Sequence, residues 1–217
     1  FKHSQIDRIM EKAKITFLGT GDAKPTKSRN HTAILLSYKN ETILVDCGEG
    51  TQRQLKIAGV SAHKITRILI THKHGDHTFG LPGLLSSLAL DKFAGIVRIY
   101  GPRGIKEYMN DIMKLVSAYA GFGIRIEVHE VAGKFIETKD FYIEAEPMAH
   151  GTPTNAYAFV VKDRVHLDKN KLKKLRIPNS PIVGQLYAGK DIVINGKKIK
   201  ASQVRYTEKG KKISFVL

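Results

Sequence analysis

The stretch THKHGDH, Thr71 to His77, packs three histidines and an aspartate into six positions, directly after the apolar run ITRILI. In an extended chain alternate side chains share a side, so His72 and His74 can meet one ion. Gly75 then lets the backbone turn sharply, and Asp76 and His77 can face a neighbouring position. Burying such a cluster without a metal or full hydrogen bonding would be costly. With no cysteine in the motif, the donors are imidazole nitrogen and carboxylate oxygen. That set suits Zn²⁺, with Mn²⁺ or Fe²⁺ as alternatives, and not a thiolate-type structural zinc site. Four ligands divided between two ions leave both unsaturated, so further donors must come from elsewhere. Two adjacent metals would share a water, lower its pKa, and clamp the attacking and leaving oxygens of a phosphodiester.

The elements that must carry this motif follow from pattern and punctuation. KITFL reads as a strand running into the Gly-rich turn GTGDA, and TAILLSY and TILVDC as two β runs joined by a short link. GEGTQRQLKIAG predicts a short helix closed by glycine. ITRILI is a strand delivering the chain into the motif, and GLPGLLSSLALDKF a helix with Pro82 in its first turn. IVRIY predicts a strand, and GIKEYMNDIMKLVSAYA has the spacing of an amphipathic helix. IRIEVHE, FYIEAEPM and AYAFVV continue as strands. From about Val165 the pattern becomes basic and interrupted, with two small β-like runs, until KISFVL returns as a strand. Strands outnumber helices and the two are interspersed, which predicts an α/β or α+β body built on sheets.

The 217 residues suffice for one sizeable core, and a hydrophobic fraction of 42% is that of a globular protein. The single cysteine, Cys47, excludes an intrachain disulfide and points to a reducing compartment, the cytoplasm. The apolar stretch FGLPGLLSSLAL is too short and too broken to span a bilayer, so no membrane partner is expected. Charge is the loudest global signal: the net +16 is concentrated in residues 162–212, which hold 15 Lys and Arg against 4 Asp and Glu. That excess argues for a polyanionic partner, nucleic acid first.

HKHGDH matches the HxHxDH signature of the metallo-β-lactamase superfamily, and its surroundings resemble the tRNase Z (RNase Z) family within it. FLGTGDAKPTKSRN is similar to that family's opening strand and PxKxRN loop (Pro25, Lys27, Arg29, Asn30). ILVDCGEGTQRQL resembles its strand carrying Asp46 and the GEGTQRQ that follows, HTFGLPGLLSS its continuation after the metal motif, and MAHGTPTNAYAFV its next metal-histidine segment. The resemblance runs in order over about residues 14–161. It implies an αββα sandwich with a protruding basic arm, and a zinc-dependent endoribonuclease removing the 3′ trailer of precursor tRNA with two Zn²⁺ per active site. His72, His74 and His150 would hold one zinc; Asp76 and His77 would help hold the second. Asp76 would also orient or deprotonate the attacking water, and Asp46 would fix a ligand histidine from behind, a role compatible with capping GEGTQRQ. Lys27 and Arg29 would lie near the acceptor stem. A homodimer is also expected from the resemblance.

The stretch from His166 to Tyr206 resembles the family's flexible arm, which clamps the tRNA elbow. Lys169, Lys171, Lys173, Lys174 and Arg176 can neutralise phosphates without reading bases. Ser180 stands where typical arms carry glycine. The resemblance divides the chain into a first half of the core over 1–163, an arm over 164–210 and a returning core strand over 211–217. The rest of the core, with a metal-bridging aspartate and a last metal histidine, is expected beyond Leu217. His31 reads as an ordinary surface histidine, and Cys47 as a core residue. The alternatives are a small-substrate phosphodiesterase or lactonase of the same fold, and a non-catalytic tRNA-binding paralogue.

Overall fold

A computed structural model describes residues 12–117 and 123–217. The β-branched and aliphatic runs of the first half build one six-stranded sheet. Its strands are β1 (Lys14–Gly19), β2 (Ala33–Tyr38), β3 (Glu41–Val45), β4 (Arg67–Leu69), β5 (Ile96–Gly101) and β6 (Arg125–Glu130), in sequence order across the sheet. β1, β2 and β3 pair antiparallel, Leu35 opposite Leu44, whereas β3 to β6 pair parallel, Val45 opposite Leu69. Parallel strands need crossovers, and helices supply them. α1 (Thr51–Ile57) follows β3, the four-residue α2 (Gly75–Thr78) and α3 (Leu81–Leu90) follow β4, and α4 (Ile105–Ser117) follows β5.

Two of these helices drive the core by their periodicity. α3 buries Leu81, Leu84, Leu85 and Leu88, and α4 buries Ile105, Met109, Ile112 and Val116, each set one stripe of a 3.6-residue repeat. They join Leu44, Leu55, Ile68 and Ile99 in a single apolar cluster. Pro82 sits in the first turn of α3, as expected. The tail of the α4 pattern, Ala118–Ala120, lies outside the described residues, as does His3.

Strands β7 (Gly133–Glu137), β8 (Phe141–Met148), β9 (Thr154–Val161) and β14 (Lys212–Phe215) form a four-stranded sheet in the order β14-β9-β8-β7. β7 escapes the sequence pattern because its five residues, GKFIE, hold only two apolar side chains. The described residues divide into two compact units. One takes in residues up to Phe135 with Glu144–Ala158 and Ser214–Leu217; the other takes in Ile136–Ile143 and Phe159–Ile213.

The second unit is more ordered than an interrupted basic run suggests. It holds β10 (Arg164–Leu167), α5 (Lys169–Lys174), α6 (Ile182–Tyr187), β11 (Ile192–Ile194), β12 (Lys197–Ile199) and β13 (Arg205–Glu208). β10 pairs β13 antiparallel, and β11 pairs β12. Ile177, Leu186, Ile192, Ile199 and Val204 make a small core of their own. The Asp168 carboxylate caps α5, accepting from the amides of Asn170 at 2.9 Å and Lys171 at 3.1 Å. Neither helix stands out in the sequence: six residues are under two turns, too few for a readable period.

Candidate metal centre

The chemistry-bearing side chains gather at the carboxyl ends of parallel strands, where open α/β sheets bind ligands. Asp46 follows β3, and Thr71 and His72 follow β4. The pairing runs on past both strands: the Asp46 amide donates to Leu69 O at 2.8 Å and the Ile70 amide to Tyr100 O at 2.8 Å. β9 fastens the same stretch from another side. The Asn155 amide donates to Thr71 O at 2.9 Å, and the buried Tyr157 hydroxyl donates to Ile70 O at 2.7 Å. These bonds fix the backbone that presents the motif.

His72, His74 and His150 come together, each offering one ring nitrogen, with all three nitrogens within 4.8 Å of one another. The ring of His72 lies 4.6 Å from that of His74 and 4.7 Å from that of His150, centroid to centroid. His72 Nε2 and His74 Nδ1 are 3.1 Å apart. His72 is buried, whereas His74 and His150 reach solvent, and an open recess of about 200 Å³ adjoins His150. His77 is also buried, its ring 4.0 Å from that of His72 and its Nε2 3.3 Å from Asp76 Oδ2.

Behind the histidines stands Asp46, fully buried and fully used. Its Oδ1 accepts the Thr71 amide at 2.7 Å; its Oδ2 accepts the Thr71 hydroxyl at 2.8 Å and meets His77 Nδ1 at 2.7 Å. The Thr71 hydroxyl has one proton and gives it to Asp46, so toward His72 Nδ1, 3.0 Å away, it can only accept. His72 Nδ1 therefore carries its hydrogen, and its Nε2 presents a lone pair. The Asp46 bond does the same for His77: Nδ1–H donates, and Nε2 is left open toward Asp76. One carboxylate thus sets the tautomer of two histidines, one directly and one through Thr71.

The electrostatics follow the same wiring. Burial pushes the Asp46 carboxyl up, opposed by His77 and the two Thr71 bonds. Burial pushes His77 down, but the bond to Asp46 and the charges of Asp46 and Asp76 outweigh it and hold His77 above its usual value. His72 is lowered to about 4, first by burial and then by His77, His74 and His150. A neutral imidazole with its lone pair aimed among other imidazoles fits a divalent cation of the zinc type.

Several expectations change against this geometry. Asp46 does not cap α1: the N-cap is Gly50, with no side-chain cap bond, and Asp46, at φ 57°, points back to Thr71 and His77. Gly75 opens α2 without a left-handed φ; what it supplies is space, since a Cβ there would stand 2.3 Å from the Phe79 ring. His31 is not a surface residue. It is 6% exposed, and both ring nitrogens are buried without a partner among the described residues. It packs against Gly48, where a Cβ would meet His31 Cβ at 2.4 Å and Asp76 O at 2.3 Å. The PxKxRN-like loop is tied to the same turn through Asn30 Nδ2, which donates to Glu49 O at 2.6 Å, while Lys27 and Arg29 remain exposed. Cys47 is a core residue, its thiol pushed up to about 12 by burial. Lys169, Lys171, Lys173, Lys174 and Arg176 are all exposed in the second unit. Thr71, Asn155 and Tyr157 also hold the motif in place, and no local pattern in the sequence marks any of the three.

Known proteins resemble this chain in sequence and in fold. A family model described as anti-Pycsar protein Apyc1 matches residues 13–171. Ribonuclease Z from Methanothermobacter thermautotrophicus is 39% identical over 204 residues, covering 93% of this chain and 66% of that relative. The chain belongs to the family of that model and is a relative of ribonuclease Z. Among solved structures, human tRNase Z, short form, superposes with a TM-score of 0.60 at 33% identity, covering 67% of this chain and 64% of the human one. The metallo-β-lactamase-fold protein YhfI from Bacillus subtilis superposes with a TM-score of 0.53 at 20% identity, over 68% of this chain and 57% of its own, a likeness of fold alone. The fold of this ribonuclease Z relative is therefore the α/β metallo-β-lactamase fold. The chain spans just under two thirds of the length of the curated relatives it matches.

Proposed function

We propose that this chain forms the metal-binding core of a zinc-dependent endoribonuclease that removes the 3′ trailer from precursor tRNA. The observation that carries the reading is the convergence of His72, His74 and His150, backed by the Asp46–Thr71 pair, in a relative of ribonuclease Z. His72, His74 and His150 would hold one Zn²⁺ through ring nitrogens, and Asp76 with His77 would contribute to a second. Bound there, the two cations would polarise the phosphodiester and lower the pKa of a water. Asp76, half-buried beside His77 Nε2, would orient that water and take its proton. Asp46 holds the histidines in ligand-competent tautomers and keeps them from turning.

The exposed lysines of α5, with Arg176, would hold tRNA phosphates, giving salt-dependent affinity governed by shape rather than sequence. Lys27 and Arg29 would contact the acceptor stem. A homodimer, a cytoplasmic location, and a division into a core over 1–163, an arm over 164–210 and a core strand over 211–217 belong to the same reading. The test compares precursor tRNA with a small chromogenic phosphodiester as substrates for the protein containing this chain. Zinc-dependent cleavage of the tRNA, abolished by Asp76→Ala, is the expected result. Cleavage of the small ester alone would favour the small-substrate hydrolase, and tRNA cleavage surviving Asp76→Ala would sink the assigned mechanism.

A further inference from the structure

We propose that Tyr108, on α4, is a positioning residue for the metal centre and acts through Thr78; the inference rests on the metal-binding part of the function proposed above. α2 carries Asp76 and His77, and His74 is its N-cap, yet α2 has only four residues and no side-chain cap. A helix that short has no stability of its own and depends on bonds beyond its own backbone ladder. The side-chain hydroxyl of its last residue, Thr78, supplies one, lying 2.9 Å from His74 O. The same carbonyl accepts the His77 amide at 3.1 Å. Two donors on one oxygen fix the peptide plane that joins ligand candidate His74 to Gly75.

The Thr78 hydroxyl also lies 2.7 Å from Tyr108 OH. Its single proton goes to His74 O, so the tyrosine must be the donor in this second contact. The result is a directed chain: Tyr108 O–H to Thr78 Oγ1, and Thr78 O–H to the His74 carbonyl. Thr78 is fully buried, so neither of its bonds is open to exchange for water. Tyr108 is anchored in turn, because it packs against the apolar cluster that holds Ile105, Met109 and Ile112 of its own helix. α4 is long and packed along one whole stripe in the core, whereas α2 is short and is otherwise held at His77, through the Cys47 amide at 2.8 Å on its carbonyl and Asp46 on its ring. The phenol therefore carries the rigidity of α4 into the turn that presents His74, Asp76 and His77.

The linear chain makes an ordered prediction. Thr78→Val removes both bonds, Tyr108→Phe removes one and leaves the threonine still donating to His74 O, and Thr78→Ser keeps the hydroxyl. Zinc affinity of the chain is read by competition with a chromogenic chelator, and the thermal midpoint of the metal-free chain is read beside it. Loss of an outer partner of a metal site costs ~10–100-fold in affinity, so Thr78→Val should fall near ~10-fold and Tyr108→Phe nearer ~3-fold. Thr78→Ser should return to within ~2-fold of the parent. The double variant Thr78→Val with Tyr108→Phe should be no weaker than Thr78→Val alone, since both bonds belong to one chain. Unchanged zinc affinity in both single variants, with or without a lower thermal midpoint, would overturn the proposal. So would a serine variant as weak as valine, or a double variant equal to the product of the singles. A parent chain that takes up no zinc defeats the metal centre as well; failure to cleave precursor tRNA leaves these affinities, and the inference, standing.

Discussion

The two units of this chain use charge in opposite ways. In the first, Asp46 is wholly buried and each of its oxygens is bonded. In the second, the lysines of α5 stand in solvent over a small apolar core. A buried carboxylate is costly unless it is fully partnered, and once partnered it dictates geometry. An exposed lysine dictates nothing locally; it contributes a long-range field and a place for a phosphate. Removing one group should therefore be severe in the first unit, and graded and salt-dependent in the second.

The sharpest way to break that contrast is Asp46→Ala. It strands His77 Nδ1 and the Thr71 hydroxyl in a buried site and frees His72 to change tautomer. Breaking a buried, bonded pair costs about 3 kcal/mol of folding stability, read by chemical denaturation of the metal-free chain. Zinc affinity should fall ~10–100-fold in the same protein. A variant that loses less than ~1 kcal/mol and binds zinc as before would show that Asp46 positions neither histidine.

That wiring marks where the sequence stops being readable. The meeting of His72 and His74 is legible because alternate residues of an extended chain share a side, and His150 because its segment resembles a known one. Thr71 is not legible. A threonine before a metal motif is ordinary, and its role depends on Asp46 arriving from β3, 25 residues earlier in the chain. Tyr157 is further from sight, since its bond to Ile70 O spans 87 residues. Elements behave alike: α3 and α4 are long enough to show a period, whereas β7, α5 and α6 are defined by partners that local pattern does not contain. The basic segment shows the converse. Its charge is plain in composition, but its core of Ile177, Leu186, Ile192 and Ile199 hides among lysines.

In the second unit, Lys169, Lys171, Lys173 and Lys174 replaced together by Gln should leave the thermal midpoint where it is, because none of these side chains is buried. RNA affinity should fall, and the slope of log affinity against log salt should become shallower by about 3, given a loss of ~0.7–0.9 per phosphate contact. A filter-binding or anisotropy series at several salt concentrations reads both. An unchanged slope would mean that α5 does not face the RNA and that the excess charge serves solubility.

The smallest effect is expected at His31, where the contrast between the units meets its exception. Both carboxylate oxygens of Asp46 are bonded, yet His31, also buried and beside Gly48, has two ring nitrogens without a partner among the described residues. A buried polar group left unpaired costs ~1–3 kcal/mol, so an apolar side chain of similar bulk should do no worse there. His31→Leu should leave zinc affinity unchanged and hold or raise folding stability by about 1 kcal/mol. The backbone around it should not move, because Gly21 N donates to Asn30 O at 2.7 Å and Gly48 N to Thr32 O at 3.0 Å, independently of the side chain. A loss of more than ~1 kcal/mol would mean that the imidazole bonds an ordered water in solution and belongs with Asp46 among the partnered groups. Lower zinc affinity at unchanged stability would instead tie His31 to the metal turn through Gly48 and Asp76.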